Sequence, residues 1–309
     1  MGVLDFRSIV RHGKVWSAVH VTNREEVQEL YCFLEEILLQ DEKFLEDAES
    51  DSRTASRTLK RFVHLADEST FKRQYAQFQI TKHVLWVIIS VLVHCNRLDL
   101  ILSEESLEKL NHIADRSQNL KYLVSPFHTG VHTFAPAILG CYISRLSVLV
   151  NQRELPLLDQ LIDQLLPNIR HVQLFPVPSQ NAPLHLVKTI RHGGVGVIYP
   201  EFSYGINQEY ETVRWFDGEL SVPIGPYLLG RKFADAVIPM SIMWNGSELI
   251  LKTTESIRAQ DYTQKEFLDT LFAIGEEWLR PNLEQWVGWE LLADSNIAEQ
   301  QIAASEQVH

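Results

Sequence analysis

Strand-length apolar runs alternate with helical patterns from about residue 121 onward, and this alternation constrains the fold more than any other feature. Four such runs are "LKYLVSP", "SVLVN", "RHVQLFPVP" and "VGVIYPE". Continuous apolar runs are typical of parallel strands that are covered by helices on both faces. We therefore predict an α/β fold with a mixed, mostly parallel central sheet that is flanked by helices.

The segments between these strands carry helical patterns. The predicted helices are "VHTFAPAILGCYISRL", "ELPLLDQLIDQLL", "NAPLHLVKTIRHGG" and "PIGPYLLGRKFADA". Two further strands, "VIPMSIMW" and "ELILKTTE", precede a last helix in "TQKEFLDTLFAIGEEWLR". A paired glycine at 193–194 is a typical helix stop.

The first third of the chain is predicted to be an N-terminal helical extension. Residues 24–47 carry apolar side chains at helical spacing, and the polar stretch 48–58 is predicted to be an exposed loop. Further helices follow to residue 118, including "VLWVIISVLV", which is shorter than the roughly 20 residues that span a bilayer. We divide the chain into a helical segment (1–118), an α/β domain (119–295) and a flexible tail (296–309).

Charge and cysteine content narrow the class of protein. A formal net charge of -12 disfavours nucleic-acid binding and persistent docking on an anionic membrane. Three dispersed cysteines without a CxxC motif indicate a reducing, cytoplasmic compartment. The N-terminus lacks the pattern of a signal peptide, so we expect membrane contact to be peripheral at most.

Two loops are expected at the carboxyl edge of the sheet, where α/β proteins place their chemistry. They are "SPFHTGVHT" after the first strand and "YPEFSYG" after the fourth. The first loop contains His128 and His132, which are four residues apart.

Three interpretations of this histidine pair compete. HxxxH on a helix is a zinc-ligand spacing, but Thr129 stands where zinc hydrolases have glutamate, and no third ligand is evident nearby, so we predict no metal. Packing is the favoured interpretation for His132. His128 directly follows a buried strand, where a neutral imidazole could act as a general base. No GxSxG nucleophile motif is present.

The blocks "YLVSPFHTGVHTF", "VLVNQRE", "KTIRHGGVGVIYPEFSYG" and "RPNLEQWVGWELL" occur in this order. Together they resemble the lysophospholipid acyltransferase superfamily over roughly residues 115–292. The branch that they resemble most is that of the lipid A late acyltransferases.

The resemblance implies an acyltransferase in which a histidine at the end of a buried strand forms a dyad with an acid five residues later. His128 matches that histidine, and Arg153 matches a substrate-contacting arginine that would hold an anionic group. We expect Ser203, Tyr204 and Gly205 to line the acceptor side. Backbone amides at Gly225, or near Thr129 and Gly130, are candidate oxyanion donors.

The chain departs from this pattern at the dyad acid, because Thr133 stands five residues after His128. Threonine can form a hydrogen bond but carries no negative charge. Glu201 is the best replacement, since both loops should lie at one end of the sheet; the alternative is that Glu201 is a structural acid that accepts N–H groups of its own loop. His132 is a second candidate, as a proton shuttle.

Other departures concern the acceptor. Glu290, Leu291 and Leu292 follow the closing Trp289, where lipid A enzymes have basic residues, and a helical segment replaces the family's N-terminal membrane helix. With the acidic net charge, these features lead us to expect a soluble or carrier-bound acceptor rather than lipid A.

The leading hypothesis is an acyltransferase that moves an acyl chain from an acyl-carrier-protein or coenzyme A thioester to a hydroxyl or amine, without a bound cofactor. The alternatives are a catalytically degenerate acyltransferase fold that acts as a binding or partner protein, and a thioesterase in which water replaces the acceptor. Metal-dependent hydrolysis is the least favoured.

Overall fold

A computed structural model describes residues 21–64, 67–152, 169, 171–179, 181–202 and 209–293. Its helices are α1 (Arg24–Leu39), α2 (Glu42–Leu59), α3 (Glu68–His94), α4 (Glu104–Ser117), α5 (Ala135–Gly140), α6 (Ala182–Arg191), α7 (Gly225–Phe233), α8 (Gln264–Leu279) and α9 (Gly288–Leu291). Short 3-10 helices occupy Leu98–Leu100, His132–Phe134, Ala259–Asp261 and Arg280–Gln285.

The strands form one six-stranded sheet and one hairpin. They are β1 (Tyr122–Pro126), β2 (Leu146–Asn151), β3 (Val172–Val177), β4 (Val195–Val197), β5 (Tyr210–Trp215), β6 (Gly218–Pro223), β7 (Ala236–Trp244) and β8 (Leu249–Thr253). The large sheet has the order β3-β2-β4-β1-β7-β8, and β5 pairs with β6. Every pairing in the large sheet is parallel except that of β7 with β8.

Helices cover both faces of this sheet. Successive residues of β1 point to opposite sides, so that Tyr122 and Val124 join one buried apolar cluster and Leu123 joins the other. The first cluster contains residues of α3 and α5, and the second contains residues of α6, α7 and α8. The predicted fold class, including the helical region before the sheet, is confirmed.

The predicted long helix at residues 24–47 is wrong, because two helices occupy this region. Asp41 caps a new helix, α2, by accepting the backbone N–H of Phe44 at 3.0 Å. The predicted loop at 48–58 is wrong as well, since it lies within α2. Ser52, Ala55 and Ser56 are buried there, and such small side chains let α2 pack closely against α3.

Two other elements differ from the prediction. The helix expected over 131–146 is reduced to the 3-10 turn His132–Phe134 and the short α5, and β2 already begins at Leu146. The β5–β6 hairpin lies where only a loop was expected. Its alternation is visible at Val213, Arg214 and Trp215, which are buried, exposed and buried. The helix expected in "ELPLLDQLIDQLL" lies outside the described residues.

The apolar segment 84–93 belongs to the 27-residue helix α3. Among the described residues, α3 is the one helix whose length and composition would allow it to cross a membrane, and 78% of its most apolar window is buried inside the fold. Its side chains pack in the same cluster as the sheet. The helical region and the sheet therefore share a core, and the domain division at residue 118 stays a prediction.

Candidate active site

The loop after β1 and the loop after β4 lie at the same edge of the sheet. The two strands pair in parallel, with Leu123 opposite Gly196 and Val124 opposite Val197. The pairing continues past β4, where the backbone N–H of Ile198 donates to the carbonyl oxygen of Val124 at 3.1 Å. This arrangement brings His128, two residues after β1, next to Glu201, four residues after β4.

The His128 imidazole forms a direct hydrogen bond with the Glu201 carboxylate. Nδ1 of His128 lies 2.9 Å from Oε2 of Glu201, and the backbone N–H of His128 donates to Oε1 at 2.8 Å. Glu201 is fully buried, whereas the His128 side chain retains 13% of its exposure. The structure therefore pairs His128 with a carboxylate from the neighbouring loop rather than with Thr133.

Glu201 accepts a third hydrogen bond, from the indole N–H of Trp286 at 3.0 Å. All three donors come from other segments of the chain. Residues 203–208 of the loop that carries Glu201 lie outside the described residues, so the alternative in which Glu201 accepts N–H groups of its own loop stays a prediction. Three donors compensate the removal of this carboxylate from water.

The contact with Glu201 sets the tautomer of His128. An ionised carboxylate can only accept, so this contact requires the proton of a neutral imidazole to lie on Nδ1. Nε2 of the neutral ring then presents a lone pair on the opposite side. This is the arrangement that a general base requires.

Aromatic rings surround the imidazole of His128. The Tyr199 ring centroid lies 4.4 Å away and that of Phe202 lies 5.3 Å away. Both residues flank Glu201 in the loop after β4. Their packing reduces contact with water, and electrostatic interactions at the imidazole are stronger in such surroundings.

His132 is close to His128 but differs from it in environment. The two ring centroids are 5.0 Å apart, and Nδ1 of His132 is buried without a hydrogen-bond partner. Burial lowers the pKa of His132 well below its ordinary value, and repulsion from His128 and Lys82 when they are protonated lowers it further. His132 is therefore a neutral, half-buried ring, whose Nε2 lies 3.5 Å from Oγ1 of Thr133.

The chain that follows His128 is fixed against the segment before α9. Thr129 and Trp286 form an isolated antiparallel bridge, and the backbone N–H of Val287 donates to the carbonyl oxygen of His128 at 2.9 Å. Gly130 has a φ of +55°, and a Cβ atom there would collide with the carbonyl oxygen of Ile242. Only glycine fits at this point without strain.

The expectation that the amides of Thr129 and Gly130 donate to an oxyanion does not hold in this conformation. The first donates to the carbonyl oxygen of Phe127 at 2.7 Å, and the second donates to that of Gln285 at 2.8 Å. Thr129 is also fully buried. Gly225 begins α7, where a Cβ atom would lie 3.1 Å from Cδ1 of Ile198, and it makes no described contact with His128 or Glu201.

Four other predicted residues, Arg153, Ser203, Tyr204 and Gly205, lie outside the described residues. Their proposed roles stay predictions. Within the part of the chain that the structure describes, no group of three or more His, Cys, Asp or Glu side chains could hold a metal ion.

The fold and this site define a class of protein, namely α/β proteins that carry a histidine–carboxylate pair at the carboxyl edge of the central sheet. The chain belongs to the bacterial lipid A biosynthesis acyltransferase family, whose model matches residues 79–289, more than half of the 309 residues. The match includes most of α3, the whole of the large sheet and both loops of the pair. No curated protein matches the chain in a sequence search.

The family match supports an acyltransferase and confirms the resemblance to the lipid A branch. It lends no support to the expectation that the acceptor differs from lipid A.

Three residues of the site were missed by sequence reasoning: Trp286, Tyr199 and Phe202. All three stand inside blocks that carried the resemblance, "RPNLEQWVGWELL" and "VGVIYPEFSYG". Tyr199 lies two residues before the predicted carboxylate and Phe202 directly after it, so their positions in the sequence were a usable signal. Trp286 lies 85 residues from Glu201, and no local pattern connects the two.

Proposed function

We propose that the protein transfers an acyl chain from an acyl-carrier-protein or coenzyme A thioester to a hydroxyl or amine acceptor, with His128 as the general base. One observation carries the proposal: Nδ1 of His128 lies 2.9 Å from a buried carboxylate oxygen of Glu201. This contact leaves Nε2 as the base and stabilises the imidazolium that forms during the reaction.

The proposed reaction has two steps. Nε2 of His128 takes the proton of the acceptor O–H or N–H as the acceptor atom bonds to the thioester carbonyl carbon. The tetrahedral intermediate then collapses, the C–S bond breaks, and the imidazolium returns the proton to the departing thiolate sulfur. The products are an ester or amide and a free thiol, and neither a bound cofactor nor a nucleophilic side chain takes part.

The remaining roles follow from the resemblance. We propose that Arg153 holds an anionic group of a substrate, because its planar guanidinium can bind a phosphate through two hydrogen bonds. We place the reaction in the cytoplasm on the basis of the dispersed cysteines. The hypothesis of a degenerate enzyme rests on the absence of an acid five residues after His128. The carboxylate of Glu201 next to His128 makes this hypothesis less favoured.

The test is acyl transfer measured by mass spectrometry. The purified protein is mixed with acyl-carrier-protein or coenzyme A thioesters, with and without a cell extract and lipid A precursors as sources of acceptor. We expect a new acylated product, and His128→Ala should reduce its formation about 100-fold or more while the melting temperature stays near wild type. His192→Ala, which alters an exposed histidine, is the matched control.

Each other result has a meaning. Unchanged transfer by His128→Ala would overturn the assignment of the base. Release of free fatty acid at the full rate without acceptor would identify a thioesterase. Tight thioester binding without turnover under every condition would identify a binding protein.

A further inference from the structure

The two oxygens of the Glu201 carboxylate have separate partners. Oε2 lies against Nδ1 of His128, while Oε1 accepts the backbone N–H of His128 and the indole N–H of Trp286. Hydrogen bonds to one oxygen restrict the rotation of a carboxylate about its last side-chain bond. The hydrogen bond from Trp286, together with that from the backbone of His128, therefore orients Oε2 toward the imidazole.

Trp286 is itself held in place by packing and by its backbone. It is fully buried, and its ring lies 5.2 Å from that of Trp215 and 4.4 Å from that of Trp289. Gly288 leaves room for the indole, because a Cβ atom there would overlap it. The indole N–H thus reaches Glu201 from a rigid position.

The segment that carries Trp286 is anchored at a distance from the site. Two residues after Trp286, helix α9 begins, and within it Glu290 accepts hydrogen bonds from Tyr75 at 2.5 Å and from Gln79 at 2.6 Å. Both donors belong to α3. Helix α3 therefore holds the segment whose indole contacts Glu201.

We propose that Trp286 is a positioning residue for the general base: its indole N–H orients the Glu201 carboxylate, which in turn orients His128. The inference rests on the proposed function, because it assigns a means of aligning the base of that reaction. Trp286 does not touch the reacting atoms, and it acts through Glu201.

The test compares Trp286→Phe with Trp289→Phe. Both tryptophans are fully buried, and both substitutions remove an indole N–H and the same ring volume. The indole of Trp289, however, donates to the carbonyl oxygen of Leu283 at 2.8 Å rather than to Glu201. Because the Trp289 ring packs against Trp286, Trp289→Phe reports the effect of lost packing around the indole, and the loss in Trp286→Phe beyond it is assigned to the contact with Glu201.

The first readout is independent of activity. The proton shared by imidazole and carboxylate gives a far-downfield resonance in proton NMR, and histidine labelled with ¹⁵N assigns it to Nδ1. We expect this resonance in the wild type and in Trp289→Phe, and we expect it to shift or broaden in Trp286→Phe. An unchanged resonance in Trp286→Phe would overturn the proposal.

The second readout is kinetic. Trp286→Phe should lower kcat by about 10-fold with KM within about 2-fold, because the Glu201 carboxylate that aligns the base loses a hydrogen bond. Trp289→Phe should cause a clearly smaller loss of kcat, because the substitution loosens the packing around Trp286 but removes no bond to Glu201. Equal losses in the two variants would mean that packing alone matters. If the wild type transfers no acyl group, the proposed function fails, and the NMR comparison still decides whether Trp286 orients the pair.

Discussion

The hydroxyl of Tyr75 donates a 2.5 Å hydrogen bond to Oε1 of Glu290, a residue 215 positions later in the chain. Tyr75 lies in α3 and Glu290 in α9, so the bond joins the helical first third to the end of the α/β region. Lys82 of α3 is buried nearby; burial lowers its pKa, while the charges of Glu290 and Asp51 oppose this effect. The first third is thus joined to the sheet region by partly buried polar contacts as well as by apolar packing.

The first prediction concerns this bond. Tyr75→Phe should lower the free energy of unfolding by about 1–3 kcal/mol, because the half-buried Glu290 carboxylate loses one of its two described donors. Urea unfolding followed by circular dichroism measures the change. Tyr262→Phe removes an exposed hydroxyl and should change stability by less than about 0.5 kcal/mol. Equal stabilities of the two variants would show that the bond contributes nothing.

The second prediction concerns pH. Burial raises the pKa of Asp51 to about 6, and the charge of Glu290 adds to this effect. The folded protein then binds more protons at this site than the unfolded chain between about pH 4 and pH 6, so the contribution of Asp51 to stability falls as pH rises through that window and is constant above it. The partial exposure of the carboxyl reduces the size of the effect through solvent screening.

Asp51→Asn should therefore be more stable than the wild type at pH 7, by on the order of 1 kcal/mol, and equal to it near pH 3.5. Thermal melts of both proteins from pH 3.5 to pH 7 measure the difference. Asp269→Asn, which alters a carboxyl on the outer face of α8, controls for the general effect of lost charge. A difference that does not vary with pH would contradict the assignment to Asp51.

The third prediction separates the two candidates that could orient His128. Glu201→Gln should lower acyl transfer by about 10- to 100-fold, because a neutral amide cannot stabilise the imidazolium by charge. The loss should be smaller than that of His128→Ala. Thr133→Val should leave the rate within about 2-fold, since Thr133 makes no described contact with His128. A large loss in Thr133→Val with a silent Glu201→Gln would reverse the assignment.

The fourth prediction concerns the backbone after His128. Gly130→Ala should destabilise the fold by about 2–5 kcal/mol. The alanine would have to adopt the positive φ of the glycine, and its Cβ would collide with the carbonyl oxygen of Ile242. Gly193→Ala shares the positive φ, at +76°, but has no atom within 4 Å of the new Cβ, and should cost only about 1–2 kcal/mol. The difference in free energy of unfolding between the two variants isolates the collision.

Apolar periodicity was sufficient to predict the main sheet. The strands at 122–126 and 146–151 are buried along nearly their whole length, which is what a continuous apolar run indicates. The prediction of a loop at 48–58 failed for a physical reason. The serines and alanines of this helical stretch are small enough to be buried where two helices pack, and composition alone does not distinguish such a helix from a solvated loop.

The pairing of His128 with Glu201 was within reach of the sequence, because the carboxyl ends of neighbouring parallel strands share one edge. The contribution of Trp286 was not, since it depends on how a distant segment packs beside residues 128–130. Strand order fixes which loops meet, whereas the contacts of a late segment follow from tertiary packing that no local pattern encodes.

The carboxylate beside His128 comes from a separate loop, so its distance along the chain from the histidine is free to vary as long as β1 and β4 remain neighbours. A motif search that demands an acid at a fixed spacing after the histidine discards every chain built in this way. Proteins set aside as inactive on that criterion could be re-examined by asking instead which acidic side chain follows the strand adjacent to the histidine.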